Sequence, residues 1–154
     1  MKQTPNAQRR TSNAEFRTCS VLLNEVPNSE YQTGKKEKYD LEDRLLELAV
    51  QIVELSEALP NTRAANHIAG QLLRSGTSPY GNHGELESVE SRKDFVHKLR
   101  ICLKELRETR RWLRLLARLK KQNAPPNLSQ CLNESEELIR IFAVSVRIAE
   151  RNSK

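Results

Sequence analysis

The chain has 154 residues, 37% hydrophobic and 30% charged, with five glycines, six prolines and few aromatic side chains. That balance suits one soluble helical domain with a real core, and it excludes a disordered chain and a β-sandwich, which needs a turn every ten residues or so. A net charge of +6 is modest for the whole chain, so its distribution carries the information.

No apolar run approaches the roughly 18 residues of a membrane span, and the first residues lack the apolar core of a signal peptide. Cys19, Cys102 and Cys131 are too scattered for a zinc site. Their odd number argues against a secreted disulfide framework. A soluble cytoplasmic protein is expected, with no membrane partner.

Residues 1–39 are rich in Asn, Thr, Ser, Gln, Lys and Arg, with apolar content confined to Val21, Leu22, Leu23 and Val26. They read as a flexible polar N-terminal extension with at most one short docking turn near Phe16 to Val26, or as residues dispensable for folding. The fold itself spans residues 40–152. Asp40, with Asp43 three residues on, is placed to cap a first helix, in which Leu41, Leu45, Leu48, Ile52, Leu55 and Leu59 repeat at four and three. Pro60 ends it. Asn61 or Thr62 starts a second helix, where Ala65, Ile68, Ala69, Leu72, Leu73 and Gly76 form a small-residue seam suited to close approach of a neighbour. Pro79, Gly81 and Gly84 are expected to kink or end it.

Ser91 with Asp94 is a capping-box-like opening for a third helix, closed by the two prolines between Asn123 and Asn127. Its seam is Phe95, Leu99, Cys102, Leu106, Thr109, Leu113 and Leu116. Nine further positions, Lys93, His97, Arg100, Lys104, Arg107, Arg111, Arg114, Arg118 and Lys121, recur at four and three and all carry basic or titratable nitrogen. On a helix they draw one cationic stripe about 150° around from the seam. Residues 91–121 hold twelve basic and three acidic groups, whereas residues 40–59 hold one and six. The basic excess therefore sits on one helix, as a binding surface would have it. Val96, Leu103 and Ala117 flank the seam on one side, and Ile101, Trp112, Leu115 and Leu119 on the other, more apolar surface than a bundle partner requires. The second flank is the expected oligomer interface. A last helix follows Leu128, Leu132, Ser135, Ile139, Phe142, Val146 and Ala149. Four amphipathic helices joined by short turns make an all-α, antiparallel up-and-down four-helix bundle.

Leu73-Arg74-Ser75-Gly76-Thr77-Ser78-Pro79, Asn82, Glu85, Ser91-Arg92-Lys93-Asp94-Phe95, Lys98, Lys104-Glu105, Glu108-Thr109 and Trp112-Leu113, with the opening Lys38-Tyr39-Asp40-Leu41-Glu42, resemble the bacterial 23S rRNA intervening-sequence protein family over residues 38 to 150. Gly81 and His83 stand where that family more often has Ala and Tyr. The resemblance implies an up-and-down bundle assembling as a ring-like homopentamer. It also implies kinship with the accessory variability protein of diversity-generating retroelements, which binds nucleic acid and a reverse transcriptase through a basic surface.

The stripe then has three readings. Lys93, Arg100, Lys104, Arg107, Arg111, Arg114, Arg118 and Lys121 contact the phosphate backbone of RNA or DNA, displacing condensed counterions; or they form a solvated face; or they are neutralised by acidic helix one through Asp43, Glu47, Glu54 and Glu57, within the bundle or across a subunit boundary. The first is the expected function, non-catalytic nucleic-acid binding or scaffolding. A protein-binding adaptor, for example for a reverse transcriptase, is the alternative. Trp112 is the one ring on the helix besides Phe95 and reads as interface or core, so backbone recognition is expected over base stacking. His67, His83 and His97 show no helical ligand spacing, and no phosphate loop or nucleophile elbow occurs. No enzymatic activity, cofactor or metal is expected. Ser75, Thr77, Ser78, Asn82 and Glu85 read as helix-end polar groups tying helix two to Lys98 or Glu105.

Overall fold

The structure, a computed structural model, describes residues 41–119 and 124–151. The proposed extension, Asp40 and Lys121 lie outside the described residues. Four helices, α1 (Leu41–Glu57), α2 (Arg63–Gly84), α3 (Arg92–Leu119) and α4 (Leu128–Arg151), are joined by short turns and one 3-10 turn, Glu85–Ser88. Each packs on its neighbours in order and α4 closes back on α1. This is the antiparallel up-and-down bundle, with α1 and α3 diagonally opposed.

The helices start and stop where local chemistry tells them to. Thr62 is the N-cap of α2, its hydroxyl accepting from the backbone N–H of Ala65 at 3.2 Å. Ser91 accepts from the N–H of Asp94 at 3.1 Å and donates to its carboxylate at 2.5 Å, closing the first turn of α3. α1 gives out at Glu57, two residues before Leu59, through a bond from Ala58 N–H to the Glu54 carbonyl and a tighter one from Leu59 to Ser56. Asp94 in the first turn of α3 and Arg118 in the last suit the helix dipole.

Pro79 does not end α2. The helix runs through it to Gly84, with Pro79 itself buried. A proline inside a helix forfeits a backbone bond, yet here side chains tie the surrounding turns together. Ser75 and Thr77 donate to the carbonyls of Gln71 and Leu73 at 2.8 and 2.7 Å, and Asn82 Nδ2 donates to that of Ser78 at 2.9 Å. Burial against α3 completes the compensation, with the Cys102 thiol donating to the Pro79 carbonyl at 3.6 Å.

Every seam residue of α3 is buried, as are Leu41, Leu45, Leu48, Ile52 and Leu55 of α1. Gly76 gives the closest approach between helices. A Cβ there would stand 2.7 Å from Cγ2 and 2.9 Å from Cγ1 of Ile52, so only hydrogen fits between α1 and α2. At the other side of α1, the Cys131 thiol donates to Gln51 Oε1 at 3.6 Å and Asn127 Nδ2 donates to the Gln51 carbonyl at 3.2 Å, while Arg44 Nε meets Glu134 at 2.6 Å.

Candidate nucleic-acid interface

α3 is 28 residues long, about 42 Å at 1.5 Å per residue. Its buried seam fixes the rotation of the helix about its axis, and that rotation turns the basic positions outward. Lys93, His97, Arg100, Lys104, Arg107, Arg111, Arg114 and Arg118 are all exposed. They fall in two adjacent rows. Arg100, Arg107 and Arg114 form the row toward α4, where Arg100 pairs with Glu150 at 2.7 Å. Lys104, Arg111 and Arg118 form the row toward α2, where Arg74 of α2 pairs with Glu105 at 3.6 Å and with Glu108.

Neutralisation of the stripe by α1 within the bundle is not what the structure shows. α1 occupies the opposite corner, and the carboxylates that pair with stripe residues come from α4, as Glu150, and from α3 itself, as Glu105 with Lys104 at 3.0 Å. Arg107, Arg111, Arg114 and Arg118 make no ion pair among the described residues. Four guanidiniums over three helical turns thus project into solvent, each able to present paired N–H donors to a phosphate or carboxylate.

Two shallow depressions lie along the stripe. One of about 760 Å³ at the start of α3 is lined by Arg92, Lys93, Asp94, Val96, His97, Arg100 and Glu150. The other, about 590 Å³, lies between the α2-side row and the apolar flank and is lined by Lys104, Arg107, Glu108, Arg111, Trp112 and Leu115.

The apolar arc of α3 is narrower than its sequence indicates. Val96 and Leu103 sink into the core, Ala117, Ile101 and Trp112 are half-buried, and Leu115 and Leu119 are exposed. Trp112 meets the His67 ring of α2 edge-on at 5.8 Å, which holds the indole against the bundle. His83 likewise packs edge-on against Phe142 at 6.4 Å. The polar end of α2 ties the helices together: Glu85 pairs with Lys98, and Thr109 Oγ1 lies 3.1 Å from Ser75 Oγ. Glu105, though, is reached by Arg74 rather than by that cluster.

Sequence reasoning missed one surface. Leu46, Val50 and Val53 on the outward face of α1 are 42%, 43% and 41% exposed. Their four-and-three spacing, offset by one from the seam Leu45, Leu48 and Ile52, was the available signal.

Burial pushes the Cys102 thiol up to about 12 and the Cys131 thiol up to about 11. Neither is a nucleophile at neutral pH. Among the described residues, no cluster of His, Cys, Asp and Glu is arranged to hold a metal, and no helix is long and apolar enough to cross a membrane.

Bundle topology, short connections and a third helix basic along its outer face place the molecule among compact all-α four-helix-bundle proteins. The chain belongs to the 23S rRNA-intervening sequence protein family, whose model matches residues 37–143. It is similar, at 38% identity, to a crystal structure of a protein of unknown function from the S23 ribosomal protein family of Bacteroides thetaiotaomicron. The match covers 69% of this chain and 94% of that one, with a TM-score of 0.61. No curated protein matches the chain.

Proposed function

We propose that this protein is a non-catalytic, cytoplasmic, self-associating scaffold that binds the phosphate backbone of RNA or duplex DNA through the outer face of α3. The observation that carries the proposal is the set of four exposed arginines, Arg107, Arg111, Arg114 and Arg118, without ion-pair partners among the described residues. Positions seven apart, such as Arg107 and Arg114, are separated by roughly 10 Å along the helix, about three nucleotides of one strand. Contacts of this kind read charge and backbone shape and leave base identity unread. The family description, with its link to 23S rRNA, supports nucleic acid as the ligand class. Self-association multiplies weak contacts by multivalency, and the ring of five subunits implied by the family resemblance would array several α3 helices on one assembly.

The exposed apolar positions of α1 and α3 favour a second reading, a protein-binding adaptor, for which a retroelement reverse transcriptase is one candidate partner. Fluorescence anisotropy of structured RNA and duplex DNA at several salt concentrations separates the two. Binding that falls steeply with salt and is lost in Arg107→Glu/Arg114→Glu of unchanged oligomeric state is the expected result. Absence of binding by the wild-type protein at low salt refutes the phosphate reading.

A further inference from the structure

The basic helix accounts for one outward face of the bundle and leaves the opposite corner unexplained. There Leu46, Val50 and Val53 form an apolar ridge along α1, each more than two-fifths exposed. Helix faces that point straight away from a bundle core ordinarily carry polar side chains. Glu54 and Glu57 border the ridge toward its C-terminal end, and neither makes an ion pair among the described residues. The surface is thus an apolar strip with an acidic margin.

The complement to that surface is on the same molecule. On α3, Leu115 and Leu119 are 40% and 62% exposed beside half-buried Trp112, and a depression of about 590 Å³ opens there. Arg111 and Arg118 border this patch, exposed and without ion-pair partners among the described residues. Apolar strip meets apolar hollow, and acidic margin meets basic margin. We infer that the outer face of α1, Leu46, Val50 and Val53 with Glu54 and Glu57, docks on the Trp112, Leu115 and Leu119 flank of α3 in a second copy of this chain.

Charge decides between this arrangement and its simplest competitor. Two α1 ridges packed on each other about a two-fold axis would bring the Glu54 and Glu57 margins of both copies to one apolar seam with no cation supplied by either ridge, which electrostatic complementarity disfavours. The α1-to-α3 contact is heterologous, so each copy keeps one donor and one acceptor face and assembly proceeds head to tail until it closes. The α3 patch lies on the flank toward α2, on the side where Arg74 reaches Glu105 and Glu108. The two docking faces are therefore not back to back, as closure into a ring requires.

The contact also divides the stripe. Arg111 and Arg118 belong to the subunit boundary, while Arg107 and Arg114 in the row toward α4 stay open. The inference deepens the self-association in the proposed function and stands whether or not nucleic acid binds.

The test uses the full chain in analytical ultracentrifugation, with circular dichroism to verify folding. Val50→Asp disables the α1 face and Leu115→Asp the α3 face, both at exposed positions. Wild type is expected to sediment as an oligomer and each variant alone as a monomer. Their equimolar mixture is expected to give a 1:1 heterodimer and nothing larger, because one intact α1 face and one intact α3 face remain. Wild type that is monomeric at tens of micromolar overturns the inference. So does Val50→Asp sedimenting like wild type, Leu115→Asp retaining a dimer, or a folded mixture that stays monomeric. Should an aspartate unfold the bundle, Val50→Ser and Leu115→Ser enter the same mixing experiment with the same readings. Anisotropy with RNA, run on Val50→Asp, reports the phosphate reading separately: loss of assembly with retained salt-sensitive binding is the expected pair of results.

Discussion

At the scale of single residues, the two helices α1 and α2 are held at their distance by a missing side chain. Gly76 sits against the fully buried Ile52, whose branched Cβ leaves no room for a methyl group. Alanine in a helix interior is worth about 1 kcal/mol over glycine, but overpacking a rigid core costs about 1–3 kcal/mol. Gly76→Ala is therefore expected to lower stability by roughly 1–2 kcal/mol in urea denaturation. The penalty should vanish in an Ile52→Ala background, and a double-mutant cycle measures that coupling. The two buried thiols make a pH prediction. Burial holds Cys102 protonated up to about 12 and Cys131 to about 11, against an ordinary value of 9.0. Below pH 9 both states keep the proton and the full stability is present. Between about 9 and 11 the unfolded chain loses protons that the folded chain retains, so stability falls as pH rises, by at most about 1.4 kcal/mol per thiol per unit. Cys102→Ala/Cys131→Ala is expected to be less stable at pH 8 and to lose less between pH 9 and 11, measured by denaturation midpoints. The heptad spacing of the sequence places Cys102 in the core seam, but the 2.7 Å approach at Gly76 depends on which face of α1 meets α2, a tertiary fact.

At the scale of elements, caps legible in the sequence are realised as hydrogen bonds, and breakers are not always obeyed. Ser91 and Thr62 do what short hydroxyl side chains do at a helix start. Ser91→Ala removes the bond to the Asp94 N–H and is expected to cost about 1 kcal/mol, read from thermal melting; Ser91→Asp restores most of it. Pro79 shows the limit of local rules. Its intrinsic penalty is several times a cap's, yet the helix continues because the residues around it are buried against α3 and satisfied by Ser75, Thr77 and Asn82. Propensity is a local quantity, and burial across an interface outweighs it. The flanks of α3 illustrate the same point. Val96 and Leu103 are equivalent in composition to Ile101 and Leu115, and only the position of α4 sends the first pair inward.

For the whole molecule, the consequence of separating acidic α1 from basic α3 across the bundle diagonal is a pair of opposed surfaces. Phosphate binding through the α4-side row should give a log-log dependence of affinity on salt, and each cation removed lowers its slope by about one. Arg107→Glu/Arg114→Glu is thus expected to reduce the slope by at least about two, whereas Arg111→Glu/Arg118→Glu is expected to shift oligomer mass as well. If subunits dock, the melting temperature of wild type rises with protein concentration and that of Val50→Asp does not, which differential scanning fluorimetry over a hundredfold range checks. Helix count, seams, caps and the cationic stripe were all readable from residue order, because each depends on spacing within one helix and every helix obeys the same 3.6-residue period. The partners of Arg74 and Arg100, the burial of Pro79, the fate of each apolar flank and the exposed ridge of α1 were not. They depend on how helices far apart in the chain are arranged, which periodicity leaves open and packing of the whole bundle decides.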